Sequence, residues 1–422
     1  MATSNFPEWL TGDFLKSCLE SDKENFRGIT IKNYQLEPAV APGNNYGSYI
    51  IRANVRYKVS DDSTESSVSL ILKAPLSKNS IIAEVFDDSR DEQYKNEAKY
   101  YSEFISQSYK LSKHDLVPKL YKSPNPLCVV LEDLNASGFE MIDRRKLLDF
   151  DHCKLFAEAS SKLHALSIAI YKTNPDLIES FGTNKPILGE IQKVMMPNSL
   201  ICMAAYLEDK PEYKKQFDII KEASENDVFW TIFKEMLDVS TSKPIKALTQ
   251  ADPWCTNMMF KYNSSGRPVQ IKIIDFQSAK LKSPLVEFVT FLSTSANLEV
   301  RQNRLNDLYK IYCDSLNGNL TALGCPERLS MEELEAEITF LSPIVLFHMC
   351  GLPMTLADTM LNVKEYVTVK FSLDTVKDSL FYKEVYTGTY FDINFPQIFS
   401  AYKDHGVYDY MSERIREMKS RK

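Results

Sequence analysis

Cysteine pairs, an excess of positive charge, long apolar runs and low-complexity tracts are all missing from this sequence of 422 residues. Its eight cysteines occur singly, without a Cys-x-x-Cys pair or a Cys/His spacing typical of zinc sites, so reduced thiols are expected. The net charge of −7 argues against a nucleic-acid-binding surface, which would require clustered Lys and Arg. We therefore expect neither a disulfide framework nor a nucleic-acid partner.

Signals for secretion or membrane insertion are also missing. The first ten residues contain no basic segment followed by a long apolar one, which a secretory signal requires. The longest apolar stretch, residues 340–354, contains Pro343, His348 and Pro353 and is too short and too interrupted to span a bilayer. The sequence thus predicts a cytoplasmic protein without a membrane segment or an obligate protein partner.

The composition that is present suits a folded enzyme. Apolar residues make up 44% of the chain and charged residues 25%, so a sizeable core can form. A chain of this length predicts one large bilobal unit or two domains. Residues 173–243 are rich in methionine and aromatic residues, which fits core helices, a cleft for an apolar ligand, or both.

The most informative motif is Asp252, followed by Asn257 five residues later and by Asp275 at the end of an apolar strand. Phosphoryl-transfer enzymes use this layout: the first Asp orients the attacking hydroxyl, and the Asn and second Asp hold Mg²⁺ against nucleotide phosphates. Apolar strands predicted at 258–262 and 269–274 flank a polar turn. The alternative is an acidic turn with chance spacing.

Upstream, the apolar pattern has a period of two, which predicts strands at 49–59 and 67–73, and a helix follows over 90–108. Lys73 ends the second of these strands. A lysine that contacts nucleotide phosphates needs an acid to hold its ammonium, and Glu97 on the helix is the candidate, with Glu92 as the fallback. Otherwise Lys73 is a solvated edge residue. His164, on a helix predicted over 149–169, is interpreted as a satisfied core histidine.

These motifs resemble the insect ecdysteroid kinase-like family, a branch of the aminoglycoside-phosphotransferase and choline-kinase group with a protein-kinase-like fold. The resemblance covers the whole chain and rests on Asp252, Trp254, Asn257, Met258, Met259, Phe260 and Ile274-Asp275-Phe276-Gln277. Gln250 and Ala251 stand where the family has His-Gly, and Thr256 replaces an Asn.

The resemblance implies an α+β, bilobal protein-kinase-like fold. An N-lobe with an antiparallel sheet and a helix is expected at residues 1–130, and a larger, mainly helical C-lobe at 131–422 with the hinge at 131–135. The polar turn at 41–48 has only two glycines and on its own favours an ordinary β-turn. The resemblance makes it a phosphate-covering loop. The implied ATP-binding residues are Gly43, Asn45, Tyr46, Ser48, Lys73, Glu97, Glu132 and Leu134, the last two through hinge backbone contacts to adenine.

The same resemblance implies Asp252 as the catalytic residue, Asn257 and Asp275 as ligands of Mg²⁺, and Glu287 as the acid that anchors the catalytic loop. We expect Gln250 to replace the structural His adequately and Ala251 not to require a positive φ, so an active enzyme is favoured. The implied acceptor is an apolar alcohol, an ecdysteroid or a hydroxylated xenobiotic. The alternatives are a catalytically silent binding protein for nucleotide or hydrophobic ligand, and a choline- or aminoglycoside-type kinase.

Overall fold

The computed structural model describes residues 6–40, 48–59, 64–75, 90–182, 189–240, 243, 245–357, 362–388, 391, 395, 399 and 406–421. The chain forms two compact units. Residues 1–140 and 272–278 form the first unit, and residues 141–271 and 279–422 form the second. The boundary thus falls ten residues after the expected one at 130/131, and a short later segment joins the first unit.

The first unit contains a five-stranded antiparallel sheet in the order β1-β2-β3-β5-β4. Helix α1 precedes the sheet, and its N-terminus is capped by the Thr11 hydroxyl, which accepts a hydrogen bond from the Phe14 N–H. The element bounds are α1 Gly12–Glu20, β1 Thr30–Pro38, β2 Tyr49–Lys58, β3 Ser66–Ala74, β4 Leu120–Tyr121 and β5 Val129–Glu132.

The alternation seen in the sequence decides which face of this sheet is buried. Ile51, Ala53 and Val55 of β2 are fully buried, and Ile51 and Ala53 lie opposite Leu72 and Leu70 of β3. Paired residues on antiparallel strands point to the same face, so these side chains form one apolar surface. That surface belongs to the same core cluster as the buried face of α1.

A long helical segment follows β3 and contains a change of helical pitch. It comprises helix α2 (Arg90–Lys99), a π-helical turn (Tyr100–Ile105) and helix α3 (Ser106–Leu111). A π turn re-aims side chains relative to a regular helix and is frequent at functional sites. Here it buries both Tyr100 and Tyr101.

The segment 272–278 joins the first unit through backbone and ring contacts. The Ile273 N–H donates to the Leu116 carbonyl at 2.8 Å, and Lys272 Nζ donates to the Val117 carbonyl at 3.0 Å. The Phe276 ring stacks on Tyr100 with ring centroids 3.8 Å apart. These contacts are long-range in sequence, so the strand pattern of the sequence does not reveal them.

The second unit is mainly helical. Its longest described helix, α4, is capped by Asp149, which accepts from the His152 N–H. Its elements are α4 Phe150–Thr173, α5 Pro175–Glu179, α6 Gly189–Leu207, α7 Lys214–Ser224, α8 Val228–Ser240, β6 Ala247–Thr249, β7 Met258–Tyr262, β8 Pro268–Ile273, β9 Lys280–Lys282, α9 Pro284–Ser295, α10 Leu298–Asn303, α11 Leu305–Ala322, α12 Met331–Phe340, α13 Ser342–Leu356, α14 Val363–Thr368, α15 Leu380–Tyr386 and α16 Val407–Ser420. The last two residues of β8 belong to the first unit.

Two small antiparallel pairs interrupt these helices. Strands β6 and β9 pair, as do β7 and β8. In the methionine-rich region, Met196, Met203 and Phe229 are fully buried, which fits the core interpretation. No single helix within the described ranges is long and apolar enough to cross a membrane, although Met331–Phe340 and Ser342–Pro353, bent by 56°, pass that test as a pair.

The predicted fold class is confirmed. It is α+β, with an antiparallel sheet and helices in the first unit and a larger, mainly helical second unit.

Candidate active site

Lys73, Glu97 and Asp275 belong to the first unit, whereas Asp252 and Asn257 belong to the second. In the first unit, Lys73 lies next to the end of β3, with only 6% of its surface exposed. Its Nζ lies 2.8 Å from Glu97 Oε2 and donates to Asp275 Oδ1 at 2.6 Å. The structure thus gives the buried ammonium two carboxylate partners, from α2 and from the segment after β8.

Glu97 connects three parts of the first unit. It is fully buried on α2, and its Oε1 accepts a hydrogen bond from the Phe276 N–H at 3.3 Å. The neighbouring Asn96 donates from Nδ2 to the Gln277 carbonyl at 3.0 Å. The helix therefore holds both Lys73 and the backbone that follows Asp275. Of the two acids proposed from the sequence, the structure pairs Glu97 with Lys73.

The electrostatics of this cluster keep Lys73 charged. Burial acts to lower the pKa of the Lys73 ammonium, but the charges and hydrogen bonds of Asp275 and Glu97 together outweigh it and raise the pKa above its usual value. For Glu97, burial raises the pKa of the carboxyl, and the adjacent Lys73 ammonium opposes that rise. The two partners thus depend on each other for their charge.

The backbone at Asp275 is in the left-handed region, with a φ of +63°. Asp and Asn tolerate this conformation better than other residues that carry a Cβ. Phe276, the next residue, stacks on Tyr100 and meets Tyr101 edge-on at 5.6 Å between ring centroids. The aromatic contacts fix the residue after Asp275 and so restrict where its carboxylate can point.

Part of the expected nucleotide site lies outside the described residues, namely Gly43, Asn45 and Tyr46. Ser48 is described and is buried immediately before β2. The roles of all four residues toward phosphate stay predictions.

Several backbone and side-chain groups of the expected hinge already form hydrogen bonds within the protein. The Glu132 N–H donates to the Lys119 carbonyl at 2.9 Å, and its carboxylate accepts from the Lys119 N–H and, at 3.3 Å, from Lys272 Nζ. The Leu134 carbonyl accepts from the Ser137 and Phe139 N–H groups. No hydrogen bond within the described part of the chain uses the Leu134 N–H. A backbone donor to adenine is therefore expected at Leu134 rather than at Glu132.

In the second unit, the loop after β6 carries Asp252 and Asn257. Asp252 is exposed, whereas Asn257 is buried at the end of a short 3₁₀ turn. Asn257 Nδ2 donates to the Asp252 carbonyl at 2.9 Å and to Asp252 Oδ2 at 3.1 Å. The amide thereby orients the Asp252 carboxylate while keeping it accessible.

A buried acid on α9 holds the start of this loop. Glu287 Oε2 accepts hydrogen bonds from the Gln250 N–H and, at 3.3 Å, from the Ala251 N–H. Its other oxygen lies 3.1 Å from His164 Nε2, and His164 Nδ1 is 2.9 Å from the Tyr312 hydroxyl. His164 is thus satisfied in the core, as expected. Its link to the loop is new, because helical spacing alone does not show what a buried histidine contacts.

The expectation for Ala251 was wrong. Its φ is +68°, in the left-handed region that favours glycine. The N–H groups of Gln250 and Ala251 both point at Glu287, and the backbone takes this left-handed conformation directly after them. The family's glycine adopts this conformation without strain, whereas alanine adopts it with strain on the order of 1 kcal/mol.

Replacing Ala251 by Gly is therefore expected to stabilise the protein by about 1 kcal/mol. The gain is measurable as a higher midpoint in chemical unfolding. Ala247→Gly, in the extended backbone of β6, is the matched control and should destabilise the protein. Equal shifts in both variants would contradict the claim of local strain.

The Glu287→Gln variant tests whether Glu287 anchors the catalytic loop through the Gln250 and Ala251 N–H groups. The variant keeps the shape but loses the charge that strengthens two backbone hydrogen bonds, so we expect a loss of about 1.5–3 kcal/mol in unfolding free energy. Urea unfolding measures it. Glu287→Asp keeps the charge on a shorter side chain, so its unfolding free energy should lie between those of Glu287→Gln and wild type. Wild-type stability for Glu287→Gln would show that the anchor is unimportant.

The chemistry of the donors fits magnesium. Asn257 uses its Nδ2 internally, and no hydrogen bond within the described residues uses its Oδ1, so an amide oxygen remains for a cation. Asp275 supplies a carboxylate. The described residues contain no cluster of three or more His, Cys, Asp or Glu side chains that could hold a metal. Mg²⁺ suits oxygen donors of these two kinds, because it keeps several waters and binds phosphate oxygens.

The comparisons with known proteins identify the family. A sequence profile described as the Ecdysteroid kinase-like family matches residues 42–325. The chain belongs to this family. It is a kinase-like family related to small-molecule kinases, and membership implies the use of ATP. The predicted resemblance is confirmed. No curated protein matches the sequence.

Several solved structures are similar at low identity. They include a choline/ethanolamine kinase family protein from Mesorhizobium loti (12% identity, TM-score 0.42, 96% of this chain and 99% of that chain covered). A choline kinase from Streptococcus pneumoniae has 12% identity and a TM-score of 0.33, with 84% and 95% covered. An aminoglycoside phosphotransferase from Streptomyces rimosus has 11% identity and a TM-score of 0.25, with 72% and 94% covered. These scores are too low to bear on the substrate.

Proposed function

We propose that this member of the ecdysteroid kinase-like family is an ATP- and Mg²⁺-dependent kinase that phosphorylates a hydroxyl of an apolar alcohol, an ecdysteroid or a hydroxylated xenobiotic. The observation that carries the proposal is the buried Lys73 ammonium, held by Glu97 and next to Asp275. A charged lysine fixed by an acid is the arrangement with which kinases hold nucleotide phosphates.

In this proposal Lys73 binds the α- and β-phosphates of ATP, and Glu97 fixes the position of Lys73. Asn257 Oδ1 and Asp275 would hold the magnesium ion, which supplies positive charge to the phosphates when bound. Leu134 donates its N–H to adenine. Each of these residues binds or positions the nucleotide, so their loss should affect ATP placement more than acceptor binding.

Asp252 acts on the acceptor. Its carboxylate is exposed, and Asn257 Nδ2 holds its Oδ2, so it can accept the proton of an approaching hydroxyl. The anchor at Glu287 fixes the backbone just before Asp252. A rigid base in an accessible position supports catalysis rather than passive binding.

One observation bears on the alternative of a silent binding protein. Ala251 sits in a strained conformation directly before Asp252, where the family's glycine would be relaxed. Strain at such a position is compatible with an active site, since active sites often store strain. It is also compatible with a loop that is no longer selected for turnover.

The deciding experiment incubates the full chain with ATP, Mg²⁺ and a panel of steroid and phenolic alcohols, and detects phosphorylated products by mass spectrometry. The Asp252→Asn variant is the control for background transfer. We expect product from at least one alcohol with wild type and nearly none with the variant. ATP–Mg²⁺ binding without product from any alcohol would contradict the proposal and support the silent alternative.

A further inference from the structure

Two lysines of the second unit lie on one face of the short β6–β9 pair. Lys280 and Lys282 are the first and last residues of β9, and they pair with Thr249 and Ala247 of β6. Because side chains alternate along a strand, both lysines point to the same side as these two partners. The other side carries Leu248 and Leu281.

The side of the β6–β9 pair that carries the two leucines packs in the core. Leu248 and Leu281 are buried, and the Leu248 N–H donates to the Ser167 hydroxyl on α4 at 2.8 Å. The lysine side is covered as well, since Thr249 and Ala247 are fully buried. Both lysines nevertheless keep partial exposure.

The environment of these ammonium groups is unfavourable for positive charge. Burial, with a smaller contribution from the Lys282 charge, lowers the pKa of Lys280 to about 7. Burial also lowers the pKa of Lys282. No carboxylate of the described chain forms an ion pair or hydrogen bond with Lys282. Two like charges in a desolvated place, one without a counter-ion, attract an anion from outside.

The lysine pair also lies near the catalytic loop. Thr249, opposite Lys280, donates its hydroxyl to the Lys280 carbonyl at 3.0 Å, and Asp252 follows Thr249 by three residues. Three residues span at most about 10 Å, and paired strands are about 5 Å apart, so the Cα atoms of Lys280 and Asp252 are within about 15 Å. This upper limit lies within the length of one elongated small molecule.

We propose that Lys280 and Lys282 form an anion-binding subsite for the acceptor, so that the preferred acceptor is an apolar alcohol that also carries an oxyanion such as a carboxylate. The inference rests on the proposed function and narrows its substrate class. The hydroxyl faces Asp252, and the oxyanion accepts hydrogen bonds from the two ammonium groups. No bond of the oxyanion changes during phosphoryl transfer.

The test measures binding without ATP, by equilibrium dialysis of the full chain. The probes are three acid and methyl-ester pairs on different scaffolds: cholate, 12-hydroxydodecanoate and 4-hydroxyphenylacetate. At least one acid is expected to bind about 10-fold or more tightly than its ester, because hydrogen bonds to charged groups are worth about 1.5–3 kcal/mol. Lys282→Met should abolish that preference, and Lys282→Arg should retain it.

Three controls keep the test decisive. Lys282→Met removes a desolvated charge, so its melting temperature should equal or exceed that of wild type. Lys280→Met gives the same test from the neighbouring position. Lys310→Met removes an exposed lysine that pairs with Asp314 on α11, and it should leave the preference unchanged. Equal binding of acid and ester on all three scaffolds, or a preference that survives Lys282→Met and Lys280→Met, would overturn the inference.

This readout is independent of turnover. If the acids bind through Lys282 but no alcohol is phosphorylated, the proposed function fails and the anion subsite stands. If neutral alcohols are phosphorylated while acids show no advantage in binding, the kinase proposal stands and the subsite fails.

Discussion

Replacing Asp252 by Asn is expected to lower phosphoryl transfer by about 10²–10⁴-fold, the usual contribution of a positioned general base. Asparagine keeps the shape of the side chain but cannot accept the hydroxyl proton. ATP–Mg²⁺ affinity should be unchanged, since the carboxylate serves the acceptor in the proposed mechanism. Single-turnover kinetics with the alcohol identified by mass spectrometry measure the rate of phosphoryl transfer. Calorimetry with ATP and Mg²⁺ measures the affinity for the nucleotide.

Asp314→Asn provides the matched control for that experiment. Asp314 is an exposed carboxylate on α11 that pairs with Lys310, so its replacement should change neither rate nor affinity. Near-wild-type transfer by Asp252→Asn would show that another group takes the proton. A parallel loss of ATP–Mg²⁺ affinity would instead place Asp252 on the nucleotide side.

Much of the first unit follows from local patterns in the sequence. The period-two segments predicted at 49–59 and 67–73 are strands β2 and β3, with bounds shifted by one residue. A strand that ends in lysine and a following helix that carries acids predict a lysine–acid contact, for which the sequence offers Glu97 and, as the fallback, Glu92; the structure pairs Lys73 with Glu97. Local hydrophobic periodicity is strong evidence here because each element buries only one face.

The backbone of the catalytic loop could not be predicted in the same way. Ala251 takes its left-handed conformation directly after two consecutive N–H groups that bind Glu287, which lies 36 residues after Ala251. The sequence identifies Glu287 as an anchor only through the family resemblance, and residue type alone does not give φ. Likewise, the assignment of 272–278 to the first unit depends on partners such as Leu116 and Tyr100.

The hinge and the lysine pair show a second limit of sequence patterns. The Glu132 carboxylate accepts hydrogen bonds from Lys119 and Lys272, which are distant in sequence. Residue spacing therefore does not predict these contacts. The sequence patterns do not single out Lys280 and Lys282. Only the burial of their surroundings distinguishes them.

Replacing Lys73 by Met is expected to lower the stability of the first unit by about 3–5 kcal/mol, in addition to impairing ATP placement. The variant leaves the fully buried Glu97 carboxylate without its cation. Burial raises the pKa of Glu97, and the opposing effect of Lys73 is then gone. When the pKa of a carboxyl is higher in the folded state than in the unfolded state, the protein becomes less stable as the pH rises above the unfolded-state pKa. The deficit should therefore be larger at pH 8 than at pH 5.

Hydrogen exchange of residues 66–74 and 90–105, followed by mass spectrometry, reports the unfolding free energy of this region. The double variant Lys73→Met/Glu97→Gln removes the stranded charge, so it should regain part of the lost stability and show little of the extra pH dependence. Lys16→Met, an exposed lysine near Glu20 on α1, should change stability by less than about 1 kcal/mol. If Lys73→Met were as stable as Lys16→Met at both pH values, the buried ion pair would not organise the site, and Glu97 would need another role.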